Sequence, residues 1–489
     1  MVQSPHSLLA AFELEVATIM MDILSSDNRP RKSFPHQQLQ YAFSTTPLYS
    51  ASLAGQSNPF SGYISGSSIK SAAKTIAKDL LSYFEGDEYG VGLLPDPYYW
   101  FESGLVWAGM IDYWAYTGDG QYNDRVQAAL VAQAASDNDY MPPNQTKSEG
   151  NDDQGLWALA AMNAAEKGFP SSDGSTSWLD LAKNVFDEQV ERWDTTTCKG
   201  GLRWQIFSFN QGYDYKNSQS NGVFFQLAAR LAAFTGNSTY VDWAEKAYDW
   251  TKSVGLISKH FEVFDGAHTT TNCSGKSRIQ WSYLSACFVY GSAVMYNHTS
   301  NPKWVNRTNS LLEASQIFFT DTGSGEVMVE VACEPHGTCD YDQFAFKGLM
   351  AQWLGATAQV APYASDNITA SLRSSAKAAA RQCTGGRTKG TECGSRWTGS
   401  FDGSTGAGQE LSAMNVVLAN LAVKSTGSAK ASSGNTTSGA VGAPSSTPSS
   451  TVSGSAASQT AGSGSAAIRH LTARSVALCS VLAAALCIL

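Results

Sequence analysis

Two adjacent acidic residues, Asp152 and Asp153, have the type and spacing in this sequence that best suit catalysis. They stand where an apolar helical segment begins. A helix N-terminus stabilises one carboxyl group as an anion, while repulsion between the two raises the pKa of the other. One ionised and one protonated carboxyl group are what glycoside hydrolysis requires, and their closeness favours a retaining mechanism. The alternative is that the pair only caps the helix.

The segments that lead into the buried helices carry aromatic, amide and charged residues that suit a sugar ligand. Aromatic rings pack on apolar faces of a ligand, and polar side chains fix its orientation by hydrogen bonding. Each residue has a structural alternative in the core, a turn or a cap, and Asp342, Gln343 and Glu410 are interpreted as caps. The candidate binding residues are Asp96, Tyr98, Tyr99, Trp100, Asn138, Asp139, Arg203, Trp204, Gln205, Lys216, Asn217, Asn221, Trp281 and Tyr283.

Between residues 67 and 423 the hydrophobic pattern is helical, and amphipathic segments alternate with segments that are apolar on all sides. A helix that is apolar all round must be surrounded by protein. The pattern predicts an all-α (α/α)6 toroid of six inner and six outer helices; an open α-solenoid would need a more regular repeat. The inner segments are 101–116, 156–165, 221–234, 284–296, 344–360 and 411–423, and the outer ones are 67–84, 121–135, 177–193, 240–254, 303–319 and 367–382.

In such a toroid all inner helices begin at the same end. The segments that precede them are rich in carboxylates, amides and aromatic rings, so we expect the ligand cleft at that end. Sequons at Asn237, Asn297, Asn306 and Asn367 fall at or near the opposite turns. Glycans there would leave the cleft end open. The predicted glycosylation sites are Asn144, Asn237, Asn272, Asn297, Asn306 and Asn367, and a seventh sequon starts at Asn435.

Seven of the nine cysteines lie between Cys198 and Cys393. Their spacing predicts disulfides within two short loops, Cys333 with Cys339 and Cys383 with Cys393, and a longer pairing of Cys198 with Cys273. Cys287 lies in an apolar run and is expected to be a buried thiol. Disulfides and sequons together predict a secreted glycoprotein. The scattered histidines, without CxxC or HExxH, predict no metal site and no cofactor.

We divide the chain into four parts. Residues 1–66 are polar, lack a clear secretory signal and suggest a wrongly assigned start. Residues 67–423 form the catalytic domain, and residues 424–467 form a Ser/Thr/Gly/Ala-rich linker. Residues 468–489 have the order of a GPI-anchor signal that is removed on maturation, with attachment near Ser463. The alternative for that end is a tail-anchored helix.

The composition limits the partners. Lys and Arg number 33 against 42 Asp and Glu, a net charge of −9, and no long basic run occurs, so we expect no nucleic-acid partner. A hydrophobic fraction of 43% supports a folded core. We expect a monomer.

Several long motifs resemble glycoside hydrolase family 76, the fungal GPI-anchored mannan endo-1,6-α-mannosidases. The resemblance covers about residues 67–423 and implies an (α/α)6 fold with retaining cleavage of α-1,6-mannosidic linkages. It implies that Asp152 is the nucleophile and Asp153 the general acid/base. The motifs are LLPDPYYWFESG, DNDYMPPNQTKSEGNDDQ, GGLRWQIF, YKNSQSNG, IQWSY and EVACEPHGTC.

The resemblance further implies an α-1,6-mannan or GPI-core glycan substrate, a β-glucan acceptor if the enzyme transfers, and a role at the extracellular face of the plasma membrane and in the cell wall. The alternative function is a cell-wall protein that binds mannan without cleaving it. A third class, diphosphate chemistry as in terpene cyclases, lacks its DDxxD motif, because apolar Leu156 and Trp157 stand where the second acidic group is required.

Overall fold

Twelve α-helices dominate the described part of a computed structural model of the chain, which comprises residues 65–86, 88–171, 176–385 and 391–432. For residues 424–432 only the backbone is described. The predictions for residues 1–64 and 433–489, including the anchor site at Ser463 and the sequon at Asn435, lie outside this part.

The helices alternate between outer and inner positions, as the hydrophobic pattern predicts. The outer helices are α1 (Gly66–Leu81), α3 (Asn123–Gln133), α5 (Trp178–Glu191), α7 (Ser238–Ser253), α9 (Pro302–Ala314) and α11 (Ser365–Arg381). The inner helices are α2 (Trp100–Thr117), α4 (Asn151–Lys167), α6 (Ser218–Thr235), α8 (Ser282–Thr299), α10 (Tyr341–Val360) and α12 (Ala407–Ser432).

The six inner helices close a ring. Each packs against the next in chain order, and α12 returns to pack against α2. Outer helices pack on the outside of this ring; α1, for example, rests mainly on α12. The (α/α)6 toroid is therefore confirmed. Helix α12 continues to Ser432, beyond residue 423.

Local sequence sets the helix ends. Three inner helices end at a glycine in the left-handed conformation, Gly118, Gly168 and Gly236, where a side chain would be strained. The outer helices α5 and α7 begin at Ser177 and Asn237, whose side chains accept a hydrogen bond from the first turn. These residues end an inner helix or begin the outer helix that follows it.

Seven short β-strands lie in the described loops, where the helical pattern predicted none. One antiparallel sheet has the order β1 (Tyr215–Asn217), β2 (Gly266–His268) and β3 (Lys276–Ser277), with Lys216 opposite Ala267. The other two are hairpins of β4 (Phe319–Asp321) with β5 (Glu326–Met328) and of β6 (Cys383–Gly385) with β7 (Glu392–Cys393). The outer segment predicted over 303–319 therefore ends earlier, in a 3₁₀ turn and a strand.

All three expected disulfides are present, Cys198–Cys273, Cys333–Cys339 and Cys383–Cys393. Cys287 is a buried free thiol on α8, as expected. Among the described residues, no helix combines the length and apolar character needed to cross a membrane.

Candidate active site

A cleft of about 650 Å³ opens at the end of the ring where the inner helices begin. Its walls come from the residues that precede or begin α2, α4, α6 and α10, together with the loops around residues 144–149 and 204–211. The cleft thus lies at the end that the composition of these segments predicts.

Asp152 and Asp153 both line this cleft from the first turn of α4. Oδ2 of Asp153 accepts a hydrogen bond from the Gly150 backbone N–H at 2.7 Å, so Asp153 also caps the helix. Asp152 is only 1% exposed, and the side-chain amide of Asn217 interacts with its carboxylate. One oxygen of that carboxylate, Oδ1, has no hydrogen-bond partner in the part of the chain that the structure describes. The Asp152–Asp153 pair therefore both caps α4 and lines the cleft.

Burial raises the pKa of both carboxyl groups. The pKa of Asp153 rises to about 7, through burial first and then the nearby Asp342 charge. The pKa of Asp152 lies well above its usual range because of burial and the charge of Asp153, although backbone N–H groups and Asn217 favour its anion. The two groups titrate as a pair, and the pair retains a proton near neutral pH.

Gly150 allows the chain to pass close to the pair. A methyl group at this position would overlap with Oδ1 of Asp152 and would lie 3.0 Å from the Trp204 carbonyl oxygen. The backbone N–H of Asn151 donates to the same carbonyl at 2.8 Å, and that of Ile206 donates to the Glu149 carbonyl at 3.3 Å. These bonds hold the loop of Trp204 beside the start of α4.

Two of the predicted aromatic side chains are accessible where they line the cleft, as is Tyr89, which is 46% exposed and was not predicted. Tyr99 is 60% exposed, and Trp204 is partly exposed on the opposite loop. Tyr98 is more fixed, because its hydroxyl accepts a hydrogen bond from the Ala407 backbone N–H at 2.9 Å. Trp100 is buried, and its indole N–H donates to Gln133. Tyr99 and Trp204 are consequently the aromatic residues best placed to stack on a sugar.

The structure brings half of the predicted binding residues to the catalytic pair. Asn217 interacts with Asp152, and the following residues line the cleft: Asp96, Tyr98, Tyr99, Trp100, Trp204 and Gln205.

Three predicted residues instead hold the chain together beneath the cleft. Lys216 is fully buried, and its Nζ donates to the carbonyls of Asp194, Thr197 and Gly200 at 2.6–2.8 Å. Arg203 pairs with the Asp194 carboxylate at 2.8 Å. Asn221 exchanges hydrogen bonds with the backbone of Leu202 and donates to the Asn217 carbonyl. Because their polar groups are occupied, we do not include them among the proposed sugar contacts.

Asn138 and Asp139 lie outside the cleft lining. Oδ1 of Asn138 accepts a hydrogen bond from Thr176, and the Asp139 carboxylate accepts one from the Met141 N–H. Both side chains serve the loop after α3 rather than a ligand.

Trp281 and Tyr283 lie behind the cleft wall. Their rings pack on Phe346, with centroids 5.5 and 4.2 Å away, and Phe346 itself lines the cleft. Tyr283 is buried, and the Asp152 charge helps to raise its pKa. These two rings support the site from within the core.

Two acidic residues of the cleft escaped the sequence prediction. Glu149 lines it three residues before Asp152, and Asp342 lines it from the first turn of α10. The interpretation of Asp342 as a cap was wrong: Asp340 and Gln343 cap α10, while Oδ1 of Asp342 has no hydrogen-bond partner within the described ranges. The signal available in the sequence was position, since both lie in the segments leading into inner helices.

The structure also places other predicted caps and sequons. Glu410 accepts a hydrogen bond from the Cys393 N–H instead of capping its own helix. Asn144 lines the cleft, so the end expected to stay free of glycans carries a sequon. Asn237 lies between α6 and α7, and Asn297 lies in the last turn of α8, at the far end of the ring. Asn306 and Asn367 belong to outer helices, and Asn272 accepts a hydrogen bond from the Cys198 N–H.

Comparison with known proteins agrees with this architecture. The model of glycosyl hydrolase family 76 matches residues 68–432. The chain is 46% identical over 357 residues to the mannan endo-1,6-alpha-mannosidase DCW1 of Saccharomyces cerevisiae, covering 72% of this chain and 78% of the relative. It is 41% identical over 362 residues to DFG5 of Candida albicans, which carries the same enzyme name, covering 72% and 79%.

Solved structures share the fold. Dfg5 from Chaetomium thermophilum in complex with glucosamine matches with a TM-score of 0.70 at 41% identity, over 73% of this chain and 90% of that one. An inactive variant of the α-1,6-mannanase GH76A of Salegentibacter sp. HEL1_6, bound to α-1,6-mannotetrose, matches with a TM-score of 0.59 at 14% identity, over 73% and 99%. The second likeness shows the fold alone. Family match, identity and fold together show that this chain belongs to glycosyl hydrolase family 76.

Proposed function

We propose that this protein is a retaining, endo-acting glycosidase or transglycosylase that cleaves α-1,6-mannosidic linkages in mannan or in GPI-linked glycans. The observation that carries the proposal is the adjacent pair of Asp152, which is buried, and Asp153, which is half-buried; the pair lines the cleft and keeps a proton near neutral pH. The mannosidase names of the relatives and the mannose oligosaccharide in a structure of the same fold support the linkage.

In the proposed mechanism Asp152 attacks the anomeric carbon of the mannose unit while Asp153 donates its proton to the departing glycosidic oxygen. Asn217 and backbone N–H groups in the first turn of α4 oppose the burial that raises the pKa of Asp152, so with the proton of the pair on Asp153 they stabilise the Asp152 anion that attacks. In the second step Asp153 removes a proton from an incoming hydroxyl group, which attacks the glycosyl-enzyme and releases Asp152. The two residues need no metal ion to complete this cycle.

The incoming hydroxyl decides the outcome. Water gives hydrolysis, whereas a sugar hydroxyl, for example of a β-glucan, gives transfer. A GPI-core glycan is a second donor class, supported by the glucosamine bound to the fungal Dfg5 structure. The three disulfides are consistent with a location outside the cytosol. Attachment to the cell surface through a GPI anchor near Ser463, and action in the cell wall, complete the proposal.

The test is incubation of the purified protein with α-1,6-linked mannotetraose and with a GPI-core glycan, with and without a β-1,3-glucan oligosaccharide. Products are identified by mass spectrometry. Asp152→Asn and Asp153→Asn are the catalytic variants, and Asp187→Asn, on outer helix α5, is the matched control. We expect shortened mannose chains or mannose–glucan adducts from the wild type and the control only. Binding of mannan by all four proteins without any product would support the mannan-binding alternative and contradict the proposal.

A further inference from the structure

Glu149 is a cleft residue that the proposed mechanism does not use. Its side chain lines the cleft, yet it is only 1% exposed, and neither carboxyl oxygen has a hydrogen-bond partner among the described residues. Its backbone is fixed on both sides, since its N–H donates to the Gln145 carbonyl at 2.9 Å and its carbonyl accepts from Ile206. A buried carboxyl group that only supported the fold would have its oxygens paired, because leaving them unpaired costs free energy.

Burial and the neighbouring charges determine whether the Glu149 carboxyl group is neutral or ionised. Burial is the main cause that raises its pKa, to about 9, and repulsion from Asp153 adds to this. Arg192 opposes the shift, while Asp139 and Glu188 reinforce it. The Arg192 guanidinium donates its hydrogen bonds to Asn151, Gln154 and Glu188, so it does not neutralise Glu149 directly. At neutral pH Glu149 is therefore a carboxylic acid, with one O–H donor and one carbonyl acceptor.

We propose that Glu149 is a substrate-positioning residue, whose neutral carboxyl group donates one hydrogen bond to, and accepts one from, neighbouring hydroxyl groups of the pyranose bound beside Asp153. Adjacent hydroxyl groups on a sugar ring offer the donor and acceptor that such a group matches, and no other described group satisfies its oxygens. The inference rests on the proposed function, because it assumes that the cleft takes a sugar chain. It assigns Glu149 to binding, separate from the bond changes at Asp152 and Asp153.

The test measures binding in the absence of turnover. In the full-length Asp152→Asn protein, titration calorimetry with α-1,6-linked mannotetraose gives a reference Kd. Adding Glu149→Ala should weaken binding by about tenfold or more, because two hydrogen bonds are lost. Adding Glu149→Gln should recover most of that loss, to within about threefold of the reference, because an amide also donates and accepts.

A pH series distinguishes the neutral acid from a merely structural residue. Raising the pH from 8 to 10 ionises Glu149 and removes its O–H donor, whereas Asp153, with a pKa of about 7, is already largely ionised at pH 8. Binding should therefore weaken several-fold more in the reference protein than in the protein that also carries Glu149→Gln. Thermal unfolding of each variant, monitored by circular dichroism, shows that the fold is retained.

Three results would overturn the inference. A Kd within twofold of the reference for Glu149→Ala means that Glu149 does not contact the sugar. Equally weak binding by the Gln and Ala variants means that the charged form is required. If the Asp152→Asn protein without a further substitution binds no mannotetraose, the proposed substrate is wrong, and so is the role of Glu149 that depends on it.

Discussion

At the first turn of α4, Asp152 and Asp153 are adjacent; Asp152 is buried and Asp153 is half-buried. Burial raises the pKa of each above its value in the unfolded chain, near 4. Below pH 4 both states are protonated and the pair has no effect on stability. As the pH rises, the unfolded chain ionises first, so this pair lowers the free energy of unfolding progressively up to the folded-state pKa.

We therefore expect Asp152→Asn to stabilise the protein while it abolishes activity. The gain should be clear at pH 8 and close to zero at pH 4, since each unit by which the folded-state pKa exceeds the unfolded one corresponds to about 1.4 kcal/mol. Chemical denaturation at the two pH values measures it. If the variant is equally or less stable than the wild type at pH 8, burial does not destabilise the Asp152 carboxylate in the folded protein.

Asp194 provides the control of opposite sign. Although burial alone would raise its pKa, hydrogen bonds from Thr196, Thr197 and Lys216 hold it well below the usual range. Its carboxylate also pairs with Arg203. Such a group stabilises the fold above pH 4, so Asp194→Asn should cost about 3 kcal/mol at pH 8.

Gly150 tests how closely the site is packed. The Gly150→Ala methyl group would overlap with Oδ1 of Asp152, so the carboxylate must move from its position. We expect kcat to fall by about tenfold to a hundredfold, the loss typical of a misplaced catalytic group. Gly66→Ala, where a methyl group meets nothing within 4 Å, should leave kcat unchanged. Full activity of Gly150→Ala would show that the Asp152 position is not critical.

Among the secondary-structure elements, strand β1 links the fold to the site. Lys216 on this strand ties the turn at residues 194–200 into the core, and its neighbour Asn217 interacts with Asp152. Lys216→Met removes the donor to three backbone carbonyls, one of them in a buried hydrogen bond and two in partly buried ones. We expect a loss of about 3 kcal/mol in stability and a lower kcat as β1 shifts.

The matched control for this element is Lys259→Met, on an exposed lysine of the same region. It should change stability by no more than about 0.5 kcal/mol. If Lys216→Met unfolds at the wild-type temperature, the anchoring role of β1 is wrong. If it unfolds early but keeps wild-type kcat, the strand supports the fold and not the site.

The secondary-structure elements also show how much of the fold and of the site can be predicted from the sequence. Hydrophobic periodicity located all twelve helices of the described chain, because an inner helix is apolar on every face and an outer helix on one face only. Residue type at helix starts located the cleft and Asp152–Asp153. Residue type could not distinguish Trp204, which lines the cleft, from Lys216, whose Nζ donates its hydrogen bonds to backbone carbonyls distant in sequence. Glu149 was missed for the converse reason: its lack of partners appears only when the loops are packed.

For the molecule as a whole, closure of the helical ring and the Cys198–Cys273 disulfide both constrain the chain over long distances. This disulfide spans 75 residues, whereas Cys333–Cys339 spans 6. In the chain-entropy model, removal of the longer link by Cys198→Ser with Cys273→Ser should cost about 4 kcal/mol, against about 2 kcal/mol for the shorter one. Denaturant titration compares the two double variants. Equal losses would show that native-state contacts, and not the length of the closed loop, set the contribution.

The central claim is that the cleft of this toroid cleaves α-1,6-mannosidic bonds with retention through Asp152 and Asp153. The measurement that tests it most directly is proton NMR of the anomeric signals during the first minutes of reaction with α-1,6-linked mannotetraose. We predict that the α-anomer of the new reducing end appears before mutarotation, and that Asp152→Asn yields no product. A β-anomer formed first, or wild-type turnover by Asp152→Asn, would contradict the account.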